Sequence, residues 1–193
     1  MNEHWLQTDE KEDLITSLVM LELALDQTAK DIAAWKWAVI ATHSALQSAI
    51  ACHFTSLGNH FLVAKQDDAE AWLKSHENGT SYPEMMMESF LNLYYKLKYN
   101  EILGFKFVPH GTQGRSVKMI NIFRNKFVHF LPKDWSIEVS GLPNMCKDCL
   151  NVIQEINEHT LHWQLNDDQQ SSLSDLMTGC IEKLERFNLE YST

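Results

Sequence analysis

Residues 118 to 135 read KMINIFRNKFVHFLPKDW, an apolar helical pattern that three polar side chains interrupt. The apolar side chains recur at steps of three and four residues, as a helix with one buried face requires: Ile120, Phe123, Phe127 and Phe130. The interrupting residues are Arg124, Asn125 and His129, and we expect Pro132 to end the helix. An arginine and a histidine this close to a core need partners, a cleft or a second subunit.

Arg124 and His129 are five residues apart, so they lie roughly 140° apart around a helix axis. One helix therefore cannot easily bring them together. Two copies of the helix, antiparallel across a two-fold axis, could place the arginine of one beside the histidine of the other. Asn125 is four residues before His129 on the same face, where its amide can hydrogen-bond the imidazole.

The six residues from Arg124 to His129, RNKFVH, resemble the Arg-x4-His signature of HEPN domains. The resemblance continues upstream in AWKWAVIATHSALQ, residues 34 to 47, and downstream in FLPKDWSIE, residues 130 to 138. Uncharacterised bacterial HEPN-like proteins have a similar first long helix and a similar turn after the motif, and the likeness covers about residues 13 to 160. It implies an all-α, up-and-down helical bundle with additional short helices.

The resemblance also implies a chemistry, since active HEPN proteins are metal-independent endoribonucleases with paired motifs at a homodimer interface. A histidine can exchange a proton with a ribose hydroxyl near neutral pH, and an arginine can hold the scissile phosphate. RNA supplies its own 2′-hydroxyl nucleophile, so we expect no cofactor and no metal. The products would be a 2′,3′-cyclic phosphate and a 5′-hydroxyl.

These expectations assign roles to eight residues. Arg124 and His129 are the catalytic candidates, and Asn125 would orient His129. Three further cations would bind the phosphates of RNA: Arg115, Lys118 and Lys126. His43 and Gln47, four residues apart on an upstream helix, would support His129 or contact phosphate, although a satisfied core histidine is the simpler interpretation of His43.

The charge distribution agrees with a phosphate-bearing ligand near the motif. The net charge is −10, which argues against nonspecific binding of nucleic acid over the whole surface. From Ile102 to Lys133, however, the chain has no acidic residue and six basic ones, among them Lys106 and Lys133. The alternative is that these cations pair with acidic neighbours from elsewhere in the fold.

Composition favours one cytoplasmic, helical protein. Seven glycines and four prolines in 193 residues are few, which indicates long helices. The second helix has no charged side chain between Lys36 and Lys65, but His43, Ser44 and Gln47 make it too polar for a membrane span. The first thirteen residues hold five acids and one lysine, unlike the start of a signal peptide. The four cysteines, including the CxxC of Cys146 and Cys149, are expected to be buried free thiols.

Periodicity and caps predict a HEPN-like helical domain over residues 9 to 163 and a C-terminal helix within 164 to 193 that packs on it. We expect helices at about 9–28, 32–56, 67–75 and 84–100, then the motif helix, capped by Ser116, and helices at 144–163 and 172–189. Residues 166 to 172 would be a polar linker.

Three functions remain open on the sequence alone. The first is an endoribonuclease, as a toxin or defence factor, with RNA and an antitoxin protein as partners. Leu131 stands where some HEPN toxins have a tyrosine that a partner nucleotidyltransferase modifies, which argues against that form of control. The second is a non-catalytic module that binds a nucleotide or RNA or that dimerises. The third is a phosphotransfer bundle, which would need an exposed histidine at position 43 or 129.

Overall fold

The structure, a computed structural model, describes residues 4–56, 58, 60–129 and 134–192. Within these residues it contains seven α-helices and no β-strand, so the predicted all-α helical bundle is confirmed. The helices are α1 Glu10–Thr28, α2 Trp35–Thr55, α3 Gln66–Glu77, α4 Phe90–Tyr99, α5 Gln113–Val128, α6 Leu142–His159 and α7 Asp167–Tyr191. The expectations for Phe130, Leu131, Pro132 and Lys133 lie outside the described residues.

Helix α1 begins where the sequence indicates. The Asp9 carboxylate accepts hydrogen bonds from the backbone N–H groups of Lys11 and Glu12, both at 2.9 Å, and so caps the first turn. Four leucines at helical spacing are completely buried along one face: Leu14, Leu18, Leu21 and Leu25. This face packs against α2 and α7 and forms one side of the core.

Helix α2 is the centre of the bundle and contacts α1, α4, α5 and α6. Its side chains are buried on nearly every face, which explains why the sequence has no Asp, Glu, Lys or Arg in the helix after Lys36. Among the described residues, none of the helices combines the length and apolar character that crossing a bilayer would require.

Helices α6 and α7 close the bundle. Helix α7 packs on both α1 and α6. At the end of α7, the Tyr191 hydroxyl accepts a 2.9 Å hydrogen bond from the indole N–H of Trp35. Lys183 forms ion pairs with Asp26 at 2.7 Å and Glu22 at 3.2 Å across the α1–α7 contact. All four cysteines are buried free thiols, as expected.

Four predicted helix boundaries are wrong, and one of them is the end of α6, which lies at His159 and not at residue 163. The helix expected from residue 84 begins at Phe90, because the Met86 backbone N–H bonds the Asp68 carboxylate and Met87 pairs with Ala64 in an isolated bridge. The segment predicted as a linker is the first part of α7, capped by Asn166.

Ser116 does not cap the motif helix either. It lies inside α5, where its hydroxyl donates a 2.5 Å hydrogen bond to Asp148 of α6. Asp148 also accepts a hydrogen bond from the Thr112 hydroxyl at 2.7 Å, and the Gln113 amide donates one to Glu155 at 3.1 Å. These polar contacts fix the start of α5 against α6 and so set the direction in which its motif end points.

Candidate functional site

Helix α5 presents three different sides to its surroundings, because successive residues turn by about 100° around the axis. Its core side is apolar and packs on α2 and α6, with Val117 and Ile120 completely buried. A second side faces an open groove. The third side faces solvent and carries most of the charge: Arg115, Lys118, Lys126 and, just beyond the last turn, His129.

The groove lies between α2, α5 and the segment that leads into α4, and its volume is about 460 Å³. Helix α2 contributes His43 and Gln47 to its wall, and residues 87 to 91 form the opposite wall. Helix α5 contributes Asn121, Arg124 and Asn125. The fold therefore brings together four of the eight predicted site residues, from two helices that are distant in sequence.

Arg124 is half-buried in this groove, and its guanidinium keeps N–H groups that can bind a ligand. One guanidinium nitrogen, Nη1, donates a 3.1 Å hydrogen bond to the amide oxygen of Asn125. Among the residues that the structure describes, no carboxylate oxygen lies within 4.0 Å of the guanidinium. The other N–H groups can therefore hold an anion, and a planar guanidinium suits the two oxygens of a phosphate.

His43 is a buried, neutral member of the same wall. Its Nε2 lies 3.2 Å from the Asn121 amide oxygen, and its ring centroid lies 4.1 Å from that of Phe90, with the two ring planes tilted by 35°. Burial lowers the pKa of His43 to about 4; the hydrogen bond to Asn121 opposes this shift and the nearby Arg124 charge adds to it. Since an amide oxygen only accepts, the neutral ring carries its proton on Nε2. A buried ring of this kind cannot be the exposed phosphoacceptor of a phosphotransfer bundle.

The structure places Arg124 and His129 on different sides of the helix end. His129 follows the last residue of α5, is exposed, and does not line the groove. The side-chain oxygen of Asn125 accepts a hydrogen bond from Arg124. The contact between Asn125 and His129 is a backbone hydrogen bond, which the His129 N–H donates to the Asn125 carbonyl at 2.8 Å. Within one chain, the groove therefore contains Arg124 but not His129.

The three other predicted phosphate contacts lie on the solvent side of α5. Lys118 Nζ is 5.8 Å from the Tyr95 ring centroid, and Lys126 Nζ is 5.8 Å from that of Trp135. In the described part of the chain, none of these lysines, nor Arg115, has a carboxylate within 4.0 Å. The pairing with acidic neighbours that the sequence left open does not occur at these positions, and the helix keeps its positive charge exposed.

Sequence reasoning missed six groove residues, which are Asn121 and the five residues 87 to 91. Asn121 had a signal, because it is four residues before Asn125 and so shares its side of the helix. Glu88 had none, because it belongs to the non-helical segment before α4 that only the tertiary structure brings to the groove. Its carboxylate accepts hydrogen bonds from the Ser89 backbone N–H at 2.7 Å and the Asn92 amide at 3.0 Å.

The cysteines do not form a second site. Cys146 and Cys149 lie in the interior of α6, and burial raises the pKa of Cys146 to about 12 and that of Cys149 well above its usual range. Residues 4–56, 58, 60–129 and 134–192 contain no cluster of three histidine, cysteine or carboxylate side chains placed to hold a metal ion. The structure thus points to the α2–α5 groove as the candidate site.

The chain matches no protein-family model, and it has no significant match among curated proteins or solved structures. The functional argument therefore depends on the residues of the groove and of the α5 end themselves.

Proposed function

We propose that this protein is a metal-independent endoribonuclease of the HEPN type that acts as a homodimer, with Arg124 and His129 as its catalytic residues. The observation that carries the proposal is the guanidinium of Arg124, which lies in an open groove without a carboxylate partner among the described residues, on the helix that has His129 at its exposed end. Cations that have no acidic partner among the described residues continue along the solvent side of this helix, where they can meet the neighbouring phosphates of RNA.

The arrangement of two chains follows from the spacing of the motif. Suppose that two α5 helices pair antiparallel, so that Arg124 of one chain lies opposite His129 of the partner subunit. The two-fold axis then passes between Lys126 and Phe127. Val128 is 44% exposed near the end of α5, between Arg124 and His129 around the helix axis, and offers apolar surface for this pairing. The positive charges near the axis would repel each other unless an anion binds between them, and a phosphate is such an anion.

The chemistry needs only these side chains and the RNA. His129 accepts the proton of a ribose 2′-hydroxyl, and the 2′ oxygen attacks the adjacent phosphorus. The bond from phosphorus to the 5′ oxygen breaks, and that oxygen takes a proton from water. Arg124 holds the phosphoryl oxygens on which negative charge increases during attack. The products are a 2′,3′-cyclic phosphate and a 5′-hydroxyl.

Cleavage of RNA in the presence of EDTA tests the proposal. The purified protein is incubated with single-stranded and with structured RNA, and the ends of the products are identified. Both Arg124→Ala and His129→Ala are expected to abolish cleavage while the helical circular dichroism is unchanged. Arg186→Ala is the matched control, because Arg186 lies on α7 in an exposed ion pair with Glu190. Cleavage that neither motif substitution affects would mean that a contaminating nuclease is responsible.

A second candidate function is a non-catalytic nucleotide- or RNA-binding module. The observation in its favour is that Arg124, Asn121 and His43 form the groove within one chain, whereas His129 lies outside it. Phosphate-dependent binding of a nucleotide, lost in Arg124→Ala but retained in His129→Ala, together with no cleavage of any RNA, would favour this function over the nuclease.

A further inference from the structure

A second hollow adjoins the groove and shares Glu88 with it. It is an open depression of about 280 Å³ along helix α4. Its lining is aromatic, amide and charged, and consists of Glu88, Asn92, Tyr95, Lys96, Tyr99 and Asn100. Neither the sequence motif nor the proposed cleavage chemistry uses these residues.

The two tyrosines form an aromatic surface with two lysines beside it. Tyr95 and Tyr99 are one helical turn apart on α4, and Tyr99 is 70% exposed. Lys98 Nζ lies 5.5 Å from the centroids of both rings, and Lys118 of α5 lies 5.8 Å from that of Tyr95. Exposed aromatic rings beside lysines are the combination that holds unpaired nucleotides, because bases stack on the rings while the cations meet the phosphates.

The polar groups of the hollow suit the edge of a base. Within the described residues, the Asn100 side chain makes no hydrogen bond, and Asn92 uses its nitrogen on Glu88 and keeps its oxygen free. The bonds from Ser89 and Asn92 lower the pKa of Glu88, so its carboxylate is an acceptor for exocyclic amino groups. Lys96 is not available to a ligand, because its Nζ donates to the carbonyls of Leu62 and Ala64.

We propose that this hollow binds an unpaired base of single-stranded RNA, stacked on Tyr99 and Tyr95, beside the phosphate site at Arg124. The inference depends on the proposed function only in taking RNA as the ligand. It adds a substrate class: strands whose bases are free to leave a stack, since the bases of a duplex are paired and stacked inside it. The distance along α5 from Lys118 to His129 is about 16 Å, which a few nucleotides can span.

Binding of a short 2′-O-methyl oligoribonucleotide tests the inference, because this strand lacks the 2′-hydroxyl and cannot be cleaved. We expect Tyr99→Leu to weaken binding by at least about fivefold, as the loss of one stacked base implies. Trp37→Leu is the matched control: Trp37 is 56% exposed, has Lys36 Nζ 4.9 Å from its ring, and lies on α2 away from the hollow. It is expected to bind as tightly as the wild type.

Two further strands define the ligand. An oligonucleotide of the same length with abasic sites should bind the wild type about as weakly as the intact strand binds Tyr99→Leu. A blunt duplex of the same sequence should bind wild type and Tyr99→Leu alike. Equal binding of the intact strand by wild type and Tyr99→Leu, or an equal loss in Trp37→Leu, would overturn the inference.

The same samples separate this inference from the nuclease proposal. If the wild type binds the intact strand through Tyr99 but cleaves no RNA, the base site stands and the nuclease fails. If RNA is cleaved in an Arg124-dependent way while Tyr99→Leu changes neither binding nor cleavage, the nuclease stands and the base site fails.

Discussion

Acidification from pH 7 to pH 5 should destabilise this fold strongly, because two histidines are buried as neutral rings. His43 is 3% exposed and His53 is completely buried. His53 belongs to α2 and faces the end of α6. Its Nδ1 lies 3.1 Å from the hydroxyl of Thr160, which caps α6, and its ring centroid lies 5.5 Å from that of Phe105. Burial lowers the pKa of both histidines to about 4, and a smaller contribution at His53 comes from the nearby His159.

The sign and size of the effect follow from these values. Above pH 6.5 neither the folded nor the unfolded chain binds these protons, so stability is full. As the pH falls below 6.5 the unfolded state takes them up, and stability decreases until the folded state is also protonated near pH 4. Between pH 7 and pH 5 this linkage costs about 2 kcal/mol per ring, or about 4 kcal/mol for both, out of about 5–15 kcal/mol for a typical domain.

Urea unfolding, followed by circular dichroism at pH 7, 6 and 5, measures this loss. His53→Phe should show about half of the wild-type decrease, because Thr160 keeps its bond to the Ile156 carbonyl at 3.1 Å and one titrating ring is removed. His60→Gln, a change at an exposed histidine, should keep the whole decrease. An unfolding free energy that is equal at pH 7 and pH 5, or a full decrease in His53→Phe, would refute this reasoning.

Three substitutions test the packing of the bundle, each by urea unfolding at pH 7. Leu46→Ala, in the completely buried part of α2, should cost about 2–5 kcal/mol, and a cost under 1 kcal/mol would contradict its place in the core. Asn166→Ala removes the capping box that Asn166 forms with Gln169, and should cost about 1 kcal/mol; no change would mean that α7 begins elsewhere. Trp35→Phe removes the bond to Tyr191, and should cost about 1 kcal/mol or more; a neutral result would mean that the end of α7 is not held there.

The helical core could be predicted because its signal is local. The leucines of α1 repeat at helical spacing, and the same residues are the ones that are completely buried. The start of α7 also has a local signal, because Asn166 and Gln169 have the spacing of a capping box. The polar composition of that segment, however, favours a linker, and this prediction is wrong. Local propensity failed at residues 84 to 89, where Asp68 and Ala64 hold the chain in a non-helical conformation.

Only the part of the candidate site that lies on one helix, α5, could be predicted from the sequence. The motif identified Arg124 and Asn125, and periodicity placed His129 on another side of the helix. Which groups would surround Arg124 depended on tertiary contacts, so neither the bond from His43 to Asn121 nor the presence of Glu88 in the groove followed from spacing. The exposed state of the α5 lysines also required the structure, because a basic segment can equally be neutralised by its neighbours.

The most direct test of a composite site is to mix two inactive chains. Arg124→Ala and His129→Ala are each expected to be inactive alone. In a mixed dimer one of the two sites keeps both groups, the arginine from one chain and the histidine from the other, and random exchange gives about one quarter of the wild-type activity. Recovery to about that level is the result that we expect. A mixture that stays as inactive as its components, under conditions where subunits exchange and the wild type cleaves RNA, would contradict the shared site.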